Sequence, residues 1–195
     1  MDLEHRVAEQ FAANIEQTSA AASALPHAIS LAATSVVESL LQGGKILCCG
    51  NGGSDAAAQH FAAKMINRFE RQRPGLPAIT LSTASSIMTS VASDHSYEHI
   101  FSKQVSTLGH PGDIMLVISS TGNSANLCQA VTAAEDRQMK VIALTGGDGG
   151  QIADMLQEQD TEIRVPASGT SRTQEIHLLV IHCLCDLIDV QLLGS

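Results

Sequence analysis

The chain has no tryptophan, one tyrosine and four phenylalanines in 195 residues. Aromatic packing cannot build its interior, so Ala, Leu, Ile and Val must supply most of the core from the 44% apolar content. Positive charge is scarce as well: 11 Lys and Arg face 20 Asp and Glu, a formal net charge of −9. That balance excludes a broad grip on nucleic-acid backbone, which needs a basic footprint, and leaves room for a local basic pocket or a protein partner. No CxxC spacing occurs among the five cysteines. Cys48 and Cys49 fall inside an apolar strand pattern, while Cys183 and Cys185 are two apart on a helix, point to different sides and cannot chelate together. We read them as buried free thiols in a reducing compartment. The opening "MDLEHRVAEQF" is charged and lacks the apolar stretch of a signal peptide, and no apolar run approaches the length of a membrane span. No membrane contact is expected, and the expected location is cytoplasmic.

The length suits one α/β domain with a helical extension. Residues 3–42 carry no strand signal. "LEHRVAEQFAANIEQTSAAASAL" and "HAISLAATSVVESLLQ" place apolar residues at three- and four-residue steps on either side of Pro26, which predicts two amphipathic helices. We therefore divide the chain into N-terminal helices, 1–42, and a sheet domain, 43–195. After Gly43 and Gly44, strands are predicted at KILCCG, PAITLS, DIMLVIS, KVIALTG and TEIRVP. Helices are predicted at Asp55–Phe69, in SSIMTSVASD, at Ala125–Arg137 and at Arg172–Leu192. Nearly continuous apolar strands alternating with helices imply a five-stranded parallel sheet covered on both faces, a doubly wound α/β fold of flavodoxin type. Ligands are then expected beyond the carboxyl ends of the strands.

Two strand ends carry similar chemistry. "GNGGSDA" follows the first strand and "SSTGNSAN" the third. Ser119, Ser120, Thr121 and Ser124 gather around Gly122 at a helix start, where hydroxyls and unpaired backbone N–H groups make an anion site that the helix dipole reinforces. Taken singly, Ser54 and Ser124 read as helix caps. Two such loops on adjoining strands favour phosphate. Neither matches GxxxxGK[ST] or GxGxxG, so nucleotide hydrolysis and dinucleotide binding are disfavoured. "TGGDGGQIAD" reads as a turn into a helix.

At these residues the sequence resembles the sugar isomerase (SIS) domain family, in particular its phosphoheptose isomerase branch and the related DnaA initiator-associating proteins. The resemblance is carried by "KILCCGNGGS", "AQHFAAKMINRFERQRPGLPAI", "GHPGDIMLVISSTGNSAN", "VIALTGGDGG", "EIRVP" and "TQEIHLLVIHCLCDLID", in order along nearly the whole chain. It implies a homotetramer with the terminal helices between subunits and a site at the subunit interface. Ser119, Ser120, Thr121 and Ser124 would hold the phosphate of sedoheptulose 7-phosphate. Asn51, Gly52, Gly53 and Ser54 would line the sugar. Asp94 matches a substrate-contacting Asp, with Ser93 replacing the usual Asn beside it. The isomerases hold zinc with a Glu, two His and a Gln; carried over, His60, Gln174 and His182 match, and the Glu position is Lys64.

Ketose–aldose isomerisation passes a proton between adjacent carbons through an enediol and needs a base and an acid. The resemblance makes His182 the acid and puts the base at Lys64, where a protonated amine can neither bind a divalent metal nor accept a proton from carbon. Two readings follow: an isomerase with an altered base, or a non-catalytic tetrameric adaptor for DnaA; a sugar-phosphate sensor is a third. Elsewhere, His177 reads as packing or interface, His95, His99 and His110 as solvated, and Glu175 as a partner for Arg172. Cys128 is assigned no role. Without the resemblance, Lys64, Arg68 and Arg71 read as a basic stripe on a solvated helix.

Overall fold

Asp2 caps the first helix, its carboxylate accepting the N–H groups of Glu4 and His5. In the computed structural model, which describes residues 2–167 and 169–194, that helix is α1, Leu3–Ala24. Pro26 opens α2, Pro26–Leu41, at the first helical position, where its missing N–H costs nothing. The rest of the chain runs β1 Ile46–Gly50, α3 Gly53–Ile66, β2 Ala78–Thr80, α4 Ser85–Asp94, a 3-10 turn Tyr97–His99, α5 Ser102–Leu108, β3 Ile114–Ile118, α6 Ala125–Asp136, β4 Lys140–Gly146, α7 Gly150–Met155, β5 Thr161–Val165 and α8 Thr170–Leu193.

All five strands are parallel, in the order β2-β1-β3-β4-β5. The order reverses between β1 and β3, which pair from Ile46 with Ile114 to Gly50 with Ile118. A crevice opens there at the carboxyl end of the sheet. Alternation along the strands builds two cores. Ile46, Cys48, Ile114, Leu116, Ile118, Ile142 and Leu144 face α2, α3 and α8. Leu47, Cys49, Met115, Val117, Val141 and Ala143 face α5 and α6. The helix α2 belongs to the first of these cores through Ala32, Ala33, Val36 and Val37.

The five-stranded parallel fold is as expected, with local differences. The second strand is three residues rather than six. A 3-10 turn and α5 precede β3, where sequence periodicity had indicated nothing. The helix α3 stops at Ile66 because Arg73–Leu76 folds back on its carbonyl end, with the Leu76 N–H bonded to the Met65 carbonyl at 2.9 Å. Arg68 and Arg71 thus lie beyond the helix, and the basic stripe on one helix face does not form. By length and apolar composition α8 is able to span a bilayer, contrary to the reading of the sequence. It is instead a core helix, burying Ile176, Val180, Ile181, Leu184 and Ile188. The five cysteines are free, and burial pushes the Cys185 thiol up to about 12.

Candidate functional site

The crevice between β1 and β3 contains a pocket of about 330 Å³ lined by Asn51–Ser54, Ser119–Thr121, Ser124, Thr170 and Gln174. It brings together both loops singled out in the sequence and the start of α8. Three helices, α3, α6 and α8, begin at its wall, and none of the lining side chains is charged. Hydroxyls and helix N-termini are what remain to hold an anion, which suits a phosphate.

Packing behind the pocket shapes the hydroxyl loop. Ser119 Oγ accepts the Gly122 N–H at 3.0 Å, and Asn123 Oδ1 accepts the Gln151 N–H at 3.1 Å. The Ile152 N–H bonds the Gly122 carbonyl at 3.0 Å. Gly122 has φ +66°, and a side chain there would collide with the Gly149 carbonyl. The turn after β4 is thus a buttress for the hydroxyl loop. Gly53 is required for a different reason: a Cβ would sit 2.7 Å from Gln174 Oε1, so the Gln174 amide lies flat on the first turn of α3.

Asn51 is less free than expected. Its amide exchanges two 2.9 Å hydrogen bonds with that of Asn126, tying one loop to the other. The Tyr97 hydroxyl reaches Asn51 Oδ1 at 3.5 Å. Asp94, at the end of α4, is exposed and does not line the pocket. Thr170, Asn126 and Tyr97 were not anticipated. Thr170 carried a signal as a hydroxyl at a helix start, Asn126 as the last residue of SSTGNSAN, and Tyr97 none.

Two helical turns along the α3–α8 groove, His60 and His182 meet with their Nε2 atoms 2.9 Å apart. One ring must donate and the other accept. Burial, then His182, then Lys64 lower the His60 pKa, so this ring is neutral near pH 7. Phe69 lies against His182 with ring centroids 5.5 Å apart, and Lys64 Nζ stands 5.9 Å from the Phe69 centroid. His60, His182 and Lys64 therefore form one cluster, with Gln174 at the pocket between the two loops. As a zinc site the set does not fit. It offers two imidazoles already bonded to each other, an amide turned onto Gly53 and an ammonium where an anionic donor is needed. Among the described residues no three His, Cys, Asp or Glu side chains are grouped to hold a metal.

His177 and Glu175 make structural contacts. His177 is buried and its Nε2 bonds the Thr145 carbonyl at 3.0 Å. Glu175 pairs with Arg172 at 2.6 Å, as expected, and also accepts from Asn14 of α1 at 2.7 Å. His95, His99 and His110 are exposed.

Comparison with known proteins matches this architecture. The SIS domain profile matches residues 10–146. Phosphoheptose isomerase of Chromohalobacter salexigens is 54% identical over 195 residues, covering 100% of this chain and 99% of that protein. DnaA initiator-associating protein DiaA of Klebsiella pneumoniae is 55% identical over 184 residues, 94% of each. The solved structure of phosphoheptose isomerase from Neisseria gonorrhoeae has a TM-score of 0.92 at 47% identity, covering 96% of this chain and 99% of that one. With its profile, fold and loops in agreement, the chain belongs to the SIS domain family.

Proposed function

We propose that the protein binds sedoheptulose 7-phosphate and interconverts it with D-glycero-D-manno-heptose 7-phosphate. The observation that carries this reading is the alignment of two sites along one groove. Gly53 and Gln174 meet at the phosphate pocket; His60 and His182, seven and eight residues further on, meet again. At 1.5 Å per residue the two meetings are about 10–12 Å apart, a distance an extended seven-carbon sugar phosphate spans from its phosphate to its carbonyl end. Ser119, Ser120, Thr121, Ser124 and the three helix starts hold the phosphate. Neutral His60 takes the proton from one carbon while His182, as the acid, protonates the neighbouring carbonyl oxygen to give the enediol. His60 then returns its proton to the adjacent carbon as His182 recovers one from the other hydroxyl. The Lys64 ammonium beside them stabilises the negative charge that develops on the carbonyl oxygen during proton transfer. Zinc has no step in this scheme.

The deciding assay is turnover of sedoheptulose 7-phosphate by wild type and Lys64→Glu, each with and without zinc. Metal-independent turnover by wild type is the expected result. If only Lys64→Glu with zinc turns over, the wild-type protein is not an isomerase.

Lys64 also favours a second reading, supported by the Klebsiella relative: a non-catalytic adaptor that binds DnaA and regulates replication initiation. It predicts association with purified DnaA at micromolar concentration; no association there rejects it. Either reading uses a homotetramer. Leu3, Val7, Phe11 and Ile15 form a stripe on α1 with 56–68% of their surface exposed, an apolar face suited to packing against other subunits.

A further inference from the structure

The α3–α8 groove has a third cross-link, outside the site described so far. Arg73, on the segment that folds back after α3, has a side chain only 1% exposed, and its Nε–H is bonded to Asp189 Oδ1 at 2.5 Å. Its terminal nitrogens donate to the carbonyls of Lys64 at 3.0 Å and Met65 at 2.9 Å. These carbonyls lie in the last turn of α3, where helical partners run out and a cation is favoured by the dipole. Asp189 lies seven residues after His182, on nearly the same face of α8. One guanidinium thus bonds both the turn that carries Lys64 and the α8 face that carries His182.

We propose that Arg73 and Asp189 are a positioning pair that sets the register of α3 along α8, and thereby holds His60 against His182 with Lys64 beside them. The apolar side chains that the two helices put into the shared core, such as Ala58, Ala62, Ile181 and Leu184, attract without direction and tolerate sliding. A buried, directional ion pair does not, and fixing register is the best-attested use of such pairs. Among the described residues Asp189 Oδ2 has no hydrogen-bond partner, so Arg73 is what orients this carboxylate. Only the kinetic arm of the test rests on the isomerase reading.

The test replaces the pair by Arg73→Met with Asp189→Leu, which leaves no buried charge unpaired, and reads the histidine rings by ¹⁵N NMR. In the wild type the His60–His182 bond requires one Nε2 to carry a hydrogen and the other to accept it. A folded double variant is expected to lose that pattern; wild-type ring signals in it overturn the proposal. If the double variant does not fold, Arg73→Lys is read the same way, since an ammonium cannot span the same partners, and unchanged ring signals again overturn the proposal. In turnover, kcat is expected to fall about 100-fold while KM changes less than about twofold, because the phosphate grip is two turns away. A change confined to KM overturns the proposal. If wild type shows no turnover, the isomerase reading fails and the NMR arm still decides this one.

Discussion

Among single residues, Lys64 has the largest consequence for the proposed function, because its charge separates the two readings of the histidine pair. A Glu at that place next to His60 and His182 adds the anionic donor that the cluster lacks, so Lys64→Glu is expected to bind zinc where wild type does not, as read by calorimetric titration. His182→Ala removes the proposed acid and is expected to lower kcat about 10²–10⁴-fold while sugar-phosphate affinity is kept. Equal turnover in that variant rejects the assignment of His182. Gly122 matters through backbone geometry. Any side chain there meets the Gly149 carbonyl at a φ that L-residues rarely adopt. Gly122→Ala is therefore expected to cost about 1–3 kcal/mol of stability and to weaken sugar-phosphate binding.

Among the elements, α8 joins the pocket, the histidine pair and the core, and its buried groups make stability sensitive to charge. His177 lies beneath β4, and burial lowers its pKa, an effect only partly opposed by the bond to the Thr145 carbonyl. The unfolded chain therefore binds a proton there more readily than the folded one. Full stability is present above the unfolded value of about 6.5 and is lost as pH falls below it towards the lower folded value. His177→Gln retains an N–H for the carbonyl, and its melting temperature is expected to drop less than that of wild type between neutral and mildly acidic pH. Asp189→Ala, by contrast, strands the buried Arg73 guanidinium and is expected to cost about 3–5 kcal/mol in denaturant unfolding.

For the whole molecule, the outer face of α1 and an apolar groove of about 490 Å³ between α1, α2 and α8 are apolar surfaces that a single chain leaves uncovered. The groove is walled by Ala21, Leu25, Ile29, Leu179 and Leu187, with half-buried Cys183 among them. If the proposed homotetramer is joined through these surfaces, Phe11→Glu combined with Ile15→Glu is expected to shift the protein to smaller species in sedimentation velocity. An unchanged sedimentation coefficient would reject these surfaces as the subunit interface.

The sequence by itself determined the elements whose signals are local. Apolar runs and their alternation specified β1, β3, β4 and β5; the proline at position 26 specified the break between α1 and α2; clustered Ser, Thr and Gly marked both loops that line the crevice pocket. The ends of α3 and β2 were not legible, because they depend on a return segment whose Arg73 finds its partner 116 residues away. Nor was the short α5, whose seven residues carry too little periodicity to declare a helix. The apolar length of α8 does not distinguish a bilayer from a protein core, and only its packing under the sheet did. Only the tertiary structure committed the Asn51 amide to Asn126, laid Gln174 on Gly53 and brought His60 to within 2.9 Å of His182. Contacts between residues 75 to 122 positions apart depend on how strands and helices stack, and no local spacing encodes them.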